Sequence, residues 1–179
     1  MGHKYSREEI LEGALDAAFA EGLSRLSFGQ VARRLGASDR VVVYYFPTVD
    51  DLATNVLLAL GGRLRETLAP AFTAPVPDHR ALARAAWPVL SRPAADPVFA
   101  LFLEANGLAA GGRAPYRTVV PRLVEEWIGW AEALLTGDPA DRRAEAEAAI
   151  VLVDGLLLLR QLAGPEAADR AAERMGLTG

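Results

Sequence analysis

The chain has 179 residues, of which 51% are hydrophobic, 23% charged and 7% aromatic, and this excludes a disordered or low-complexity polypeptide. Cysteine is absent, which removes disulfide frameworks, thiolate catalysis and sulfur-ligated metals, and the two histidines, His3 and His79, are too few for most imidazole sites. Thirty-four alanines favour closely packed helices, so an all-α fold is expected, with no metal and no cofactor.

The polar, acidic opening from Lys4 to Glu9 does not suit a secretory signal. The most apolar run, Ala148 to Leu159, is broken by Asp154 and falls short of a bilayer span, so a cytoplasmic protein without a membrane partner is expected. His3 lies in a Met1-Gly2-His3 start that can be a cloning remnant and carries no weight. Ser6 with Glu9 forms a capping box, and Ile10, Leu11, Ala14, Leu15, Ala18 and Phe19 recur at helical spacing until Gly22. A second helix starts at Ser27, paired with Gln30, turns Val31 and Leu35 inward, and stops before Gly36. A third, very short helix runs from about Asp39 to Phe46, ended by Pro47 and Thr48. Three helices, the last two joined by a glycine turn, make a helix-turn-helix pattern.

A long helix follows from about Thr48, capped with Asp51, to Pro70, with Gly61-Gly62 as a point of local weakness. Pro75, Pro77 and Asp78 mark a loop. Further helices are predicted at about 78–91, 96–110, 115–136, 139–163 and 165–175, for about nine in all. Pro88 and Pro121 soften two of these boundaries. No internal repeat is present.

The net charge is −4, yet Arg25, Arg33, Arg34 and Arg40 against Asp39 give +3 between Ser24 and Pro47. The rest of the chain therefore carries −7, and a local cationic face on an acidic protein can meet phosphates. On the third helix Val42 and Phe46 share one face and should pack inward, with Tyr45 beside them. Asp39, Arg40, Val41, Val43 and Tyr44 are left nearer solvent. Arg40 can reach a guanine edge or a phosphate, Val41 a thymine methyl, and Tyr44 and Tyr45 phosphate oxygens. Ser27 adds a hydroxyl and helix-terminal amides suited to an anion. Spacing alone leaves a second reading open, a small helical core whose valines and tyrosines only pack.

The run Ser27-Phe28-Gly29-Gln30-Val31-Ala32-Arg33-Arg34-Leu35-Gly36-Ala37-Ser38, followed by Val41-Val42-Val43-Tyr44-Tyr45-Phe46-Pro47 and Asp50-Asp51-Leu52, resembles the amino-terminal domain of TetR/AcrR-type transcriptional regulators. The motif covers about a quarter of the chain, and phase, turn glycine, aromatic cluster and following proline occur together. The resemblance implies a DNA-binding domain at 1–47 and a ligand-binding and dimerisation domain at 48–179. It implies a homodimer on double-stranded, palindromic operator DNA, contacted through Ser27, Gln30, Ser38, Arg40, Val41, Tyr44, Tyr45 and Thr48. Three features depart from the family pattern. Phe28 replaces a threonine or serine, Val43 a tyrosine, and Val49 a common lysine, so two groups that would hold phosphates are missing and salt dependence should flatten.

In the remainder, Phe99, Phe102, Leu103 and Asn106 share one helical face, and Leu123, Trp127, Trp130 and Leu134 share another. With Trp87 and Asp154 these residues are the candidates for an effector pocket, and His79 is a further polar group. Aromatic stripes at this spacing also build ordinary cores. The helix around Asp154 is apolar all round, which suits one shared between a core and a partner subunit, with Gly155 allowing close approach. Asp154 should face a ligand or pair with Arg160 or Arg122. No glycine phosphate loop, serine elbow or metal spacing is present, and adjacent Glu125-Glu126 diverge by about 100°, so no enzyme is expected. The expected function is a ligand-responsive transcriptional repressor released by a small, largely apolar effector. The alternative is a helical ligand-binding or interaction protein without operator binding.

Overall fold

The computed structural model describes residues 5–178, so His3 and Lys4 lie outside the described residues. Among these it contains nine α-helices: α1 (Arg7–Glu21), α2 (Phe28–Leu35), α3 (Asp39–Tyr45), α4 (Val49–Leu68), α5 (His79–Leu90), α6 (Asp96–Ala110), α7 (Tyr116–Ala133), α8 (Pro139–Ala163) and α9 (Pro165–Arg174). Short 3-10 turns stand at Leu23–Arg25, Ala69–Ala71 and Pro93–Ala95. The all-α expectation holds. α4 runs unbroken through Gly61-Gly62, and Pro88 and Pro121 lie inside α5 and α7 rather than at their ends.

The chain divides into two compact units. The first comprises the described residues up to Gly62 together with Leu101–Pro121, and the second comprises Arg63–Ala100 and Arg122 onward. In the first, α1 begins on the reciprocal Ser6–Glu9 cap: Glu9 N–H donates to the Ser6 hydroxyl at 3.1 Å and Ser6 N–H to the Glu9 carboxylate at 2.6 Å. Its buried face is Ile10, Gly13, Ala14, Leu15, Ala17 and Ala18. Phe19 falls outside this face and is exposed, because the helix turns its small residues inward instead. A Cβ on Gly13 would stand 2.8 Å from the Leu35 side chain, so glycine is what allows α2 to lie this close to α1.

Gly36 closes α2 in the left-handed conformation (φ 62°), where its N–H and that of Ala37 satisfy the last carbonyls. That sharp stop redirects the chain into α3. A seven-residue helix is too short to be stable alone. It is held by Val42 and Phe46, which are 0% and 1% exposed. The Arg7 guanidinium lies over the Phe46 ring at 4.9 Å. Tyr45 is half-buried, and its hydroxyl donates to the Tyr5 carbonyl at 2.7 Å.

In the second unit, Trp87, Leu90, Phe99, Leu156, Leu157, Ala168, Ala172 and Leu177 form one core, with Leu68 among them. Leu82, Ile128, Ala131, Leu135, Ala146 and Ala149 form another. The buried Arg160 guanidinium is paired with the Asp96 carboxylate through two hydrogen bonds, at 2.6 and 3.1 Å. The segment before α5 is tied at Val76, whose N–H donates to Leu134 and whose carbonyl accepts from Thr136 N–H.

Removing the anchor of α3 should be costly. Phe46→Ala is expected to lower the unfolding free energy by about 3–5 kcal/mol, through reduced burial and the cavity left behind. Tyr45→Phe should cost only about 1 kcal/mol, the worth of one hydrogen bond. Urea denaturation followed by circular dichroism measures both, and equal costs would contradict this division of labour.

Candidate functional site

The helix-turn-helix presents its outer face through the same packing that buries its inner one. Arg40 is exposed at the start of α3, Val41 is half-buried and Tyr44 is 64% exposed. The rings of Tyr44 and Tyr45 meet edge to face, 4.9 Å between centroids. Val43 and Val49 are both exposed, so the two positions where a hydroxyl and an ammonium would be expected present aliphatic groups instead. Arg33 and Arg34 are exposed on α2, as is Arg25 on the turn before it.

The polar candidates differ in how far local structure already uses them. Ser27 is the N-cap of α2; its oxygen accepts from Gln30 N–H at 3.4 Å, and its hydroxyl stands 3.2 Å from Gln30 Oε1. The Gln30 amide donates to Glu21 at 2.6 Å. Thr48 makes a reciprocal cap with Asp51 at 2.8 and 3.0 Å, which starts α4. Tyr45 directs its hydroxyl hydrogen inward to Tyr5, so that hydrogen is not simultaneously available to a phosphate. Ser38 is the N-cap of α3, makes no side-chain capping bond and is exposed. Ser38, Arg40, Tyr44 and Thr48 are the exposed members of the set.

The effector candidates do not all lie in one unit. Phe102, Leu103 and Asn106 belong to the first, the first two half-buried and Asn106 exposed. Trp87 and Phe99 are buried core of the second. Trp127 and Trp130 are half-buried there, 5.4 Å apart edge to face, with Phe72 against Trp130 at 5.5 Å and the Arg65 guanidinium 5.5 Å from the Trp127 ring. His79 is engaged with Glu145: its N–H donates at 2.8 Å and Nδ1 lies 2.6 Å from the same oxygen. These bonds hold the Glu145 carboxyl below its ordinary pKa. An open groove of about 410 Å³ beside it is lined by His79, Arg80, Ala148, Val151, Leu152 and Met175.

Asp154 does not take Arg160, whose partner is Asp96. Desolvation by surrounding protein raises the Asp154 carboxyl pKa to about 6, although water still reaches the residue in the isolated chain. The sign is that of a group disfavoured when ionised. Its cost is absent below the ordinary carboxylate range, grows as pH rises, and is complete above about 6.

Sequence reasoning does not single out Glu104. Its carboxylate accepts two backbone N–H groups, from Leu23 and Ser24, each at 2.8 Å. The one signal in the sequence is chemical: a single charged residue inside the otherwise uncharged stretch Val98–Ala110, with no cation within a helical turn of it. Among the described residues no cluster of three metal-ligating side chains is present, and no helix is long and apolar enough to cross a membrane.

No protein-family model matches the chain, and no curated protein matches it in sequence. Solved structures do match. A transcriptional regulator from Rhodococcus sp. Rha1 superposes with a TM-score of 0.75 at 23% identity, covering 96% of this chain and 94% of that one. A TetR transcriptional regulator from Legionella pneumophila gives 0.69 at 20% identity, covering 97% and 96%. The multidrug binding protein EbrR, solved with imidazole, gives 0.68 at 25% identity, covering 97% and 96%. Over nearly its whole length, then, the chain has the fold of the TetR-type transcriptional regulators.

Proposed function

We propose that the protein is a DNA-binding transcriptional regulator, a homodimeric repressor of a palindromic operator that a small, largely apolar effector releases. The observation that carries this reading is α3: a short helix pinned by Val42 and Phe46, with Arg40 and Tyr44 outward beside the cations Arg33 and Arg34. Such a helix can lie in a major groove, where Arg40 meets a guanine edge and Val41 a thymine methyl. Ser38 and Tyr44 suit phosphate oxygens; Ser27, Gln30, Tyr45 and Thr48 would act there with their side chains already engaged in local bonds. Fold-level likeness to regulators supports a non-enzymatic, DNA-binding role, and residues 1–47 are the DNA-binding part.

Dimerisation is supported by α8. Val151, Gly155, Leu158 and Leu162 follow one another at spacings of four, three and four, and Val151 and Leu162 are 72% and 78% exposed. An apolar stripe of this kind on a long helix suits an equivalent helix across a two-fold axis. Gly155, with open space where its Cβ would stand, lets the backbones approach. Residues 48–179 would thus carry both the dimer contact and the effector site. For the latter the half-buried Trp127 and Trp130, with Arg65 over one ring, are candidate wall, and Asp154 a candidate acid. The likeness to EbrR, a multidrug binding protein, supports an aromatic site for an organic ligand.

Selection of duplexes from a random pool, run at two salt concentrations, should enrich a palindrome. Arg40→Ala should then relax one base position in each half-site, at about 1–3 kcal/mol per site. Failure of folded, dimeric protein to enrich any sequence would favour the ligand-binding protein without an operator. Leu158→Glu should convert the dimer to a monomer in sedimentation velocity while leaving helicity intact, because Leu158 is already exposed in the single chain. An unchanged dimer would move the interface off this stripe.

A further inference from the structure

The turn between α1 and α2 is held by a segment about eighty residues away in sequence. Leu23 and Ser24 each have one backbone N–H and one carbonyl, and all four groups are engaged by residues of α6, α7 and the turn between them. Glu104 accepts both N–H groups, one on each carboxylate oxygen, at 2.8 Å. Arg113 donates to the Ser24 carbonyl at 3.3 Å, and the buried Tyr116 hydroxyl donates to the Leu23 carbonyl at 3.1 Å. Gly22 makes the approach feasible. It has φ +87°, and a Cβ there would stand 3.0 Å from the Glu104 carboxylate. Partial burial alone would raise the Glu104 pKa; the bonds from Ser24 and Leu23, with the charge of Arg113, outweigh it and hold the carboxyl below its ordinary value.

Two observations show what this clasp controls. Leu23 and Ser24 stand only three or four residues before Ser27, the N-cap from which α2 starts, and Arg25 lies between them and it. The turn is three residues of 3-10 helix, which has little rigidity of its own. Its own backbone bonds, Gly22 N–H to Ala18 and Leu26 N–H to Leu23, leave the Leu23 and Ser24 amides to Glu104, which is therefore the group that holds the N–H side of the turn.

We propose that Glu104 is a positioning residue for the operator-binding surface: by holding the Leu23 and Ser24 amides it fixes where Arg25 and the start of α2 meet the DNA backbone. The inference rests on the operator-binding reading above. Glu104 itself touches no DNA. Removing it lets the turn drift, so what weakens is the grip on phosphates.

The test compares wild type, Glu104→Gln and Glu104→Ala by fluorescence anisotropy on the duplex selected by the wild-type protein. Glu125→Gln, which breaks an exposed pair with Arg143, serves as the control for removal of a surface charge. The active fraction of each sample is fixed by stoichiometric titration, so that unfolded protein is not counted as weak binding. Glu104→Gln keeps the shape and one acceptor but not the anion. It is expected to weaken binding about tenfold per active molecule and to lower the slope of log K against log salt by about one, with Glu104→Ala at least as severe. Glu125→Gln should match wild type. Variants that lose active fraction but bind with the wild-type constant and salt slope would overturn the proposal, because Glu104 would then be only a fold-stabilising residue. Wild-type protein that selects no duplex would overturn the operator reading, and this proposal with it.

Discussion

What the amino-terminal unit can present to a partner depends on the burial of two side chains, Val42 and Phe46. A helix of seven residues does not form from propensity, least of all one reading Asp-Arg-Val-Val-Val-Tyr-Tyr, in which β-branched and aromatic residues dominate. Tertiary packing has to make it. Val42 and Phe46 lie one turn apart, on a helix that packs against α2 and α1, with Arg7 laid over the phenyl ring and joined to Asn55 on α4 at 2.6 Å. Once they are seated, the rotation of α3 about its axis is set, and with it the outward direction of Arg40 and Tyr44. Poor helix formers on the outer face are tolerated because the inner face decides the structure.

Much of this was legible in the sequence because the signals were local. Caps at Ser6, Ser27 and Thr48, stops at Gly22, Gly36 and Gly164, and apolar spacing located the helices to within three residues at either end. The local signals misled where two residue types compete for the same face. In α1 the bulky Phe19 fits the apolar period, but the neighbouring helix is close enough that Gly13 and Ala17 take the buried positions. The composition of the first compact unit was not legible at all. Nothing in the sequence near residue 104 reports that its carboxylate reaches amides 80 positions earlier. Gly22 read correctly as a helix stop, yet its second role, clearing space for that carboxylate, depends on a partner that no window of sequence contains.

The second unit poses the opposite problem, an excess of apolar surface rather than a shortage of anchors. α8 has more hydrophobic residues than one core can cover. Leu156 and Leu157 enter the core, while Val151, Leu158 and Leu162 remain in water. The buried charge on the same helix is handled differently: Arg160 is compensated by Asp96 through two hydrogen bonds, at a depth where an unpaired guanidinium would be costly. Asp154 has no such pairing with Arg160 and sits near the exposed stripe. The uncovered Val151, Leu158 and Leu162 mark the face that the proposed dimer would cover.

Electrostatics constrain how the proposed regulator would meet DNA. The acids of α1, namely Glu8, Glu9, Glu12, Asp16 and Glu21, are all exposed, as are Asp50 and Asp51 at the start of α4. The latter two stabilise the amino end of α4, but they stand beside Val49, where a cation would have helped hold a phosphate. In that reading Arg25, Arg33, Arg34 and Arg40 would supply the phosphate attraction nearest α3, and the flanking acids would repel the duplex from other approaches. With Val49 in place of a cation, the proposed regulator would have lower nonspecific affinity and a flatter salt dependence than one with a cation there. Discrimination would then fall on the short outer face of α3 and on how accurately the turn before α2 is held, so that a distant carboxylate such as Glu104 would matter more than on a strongly basic surface.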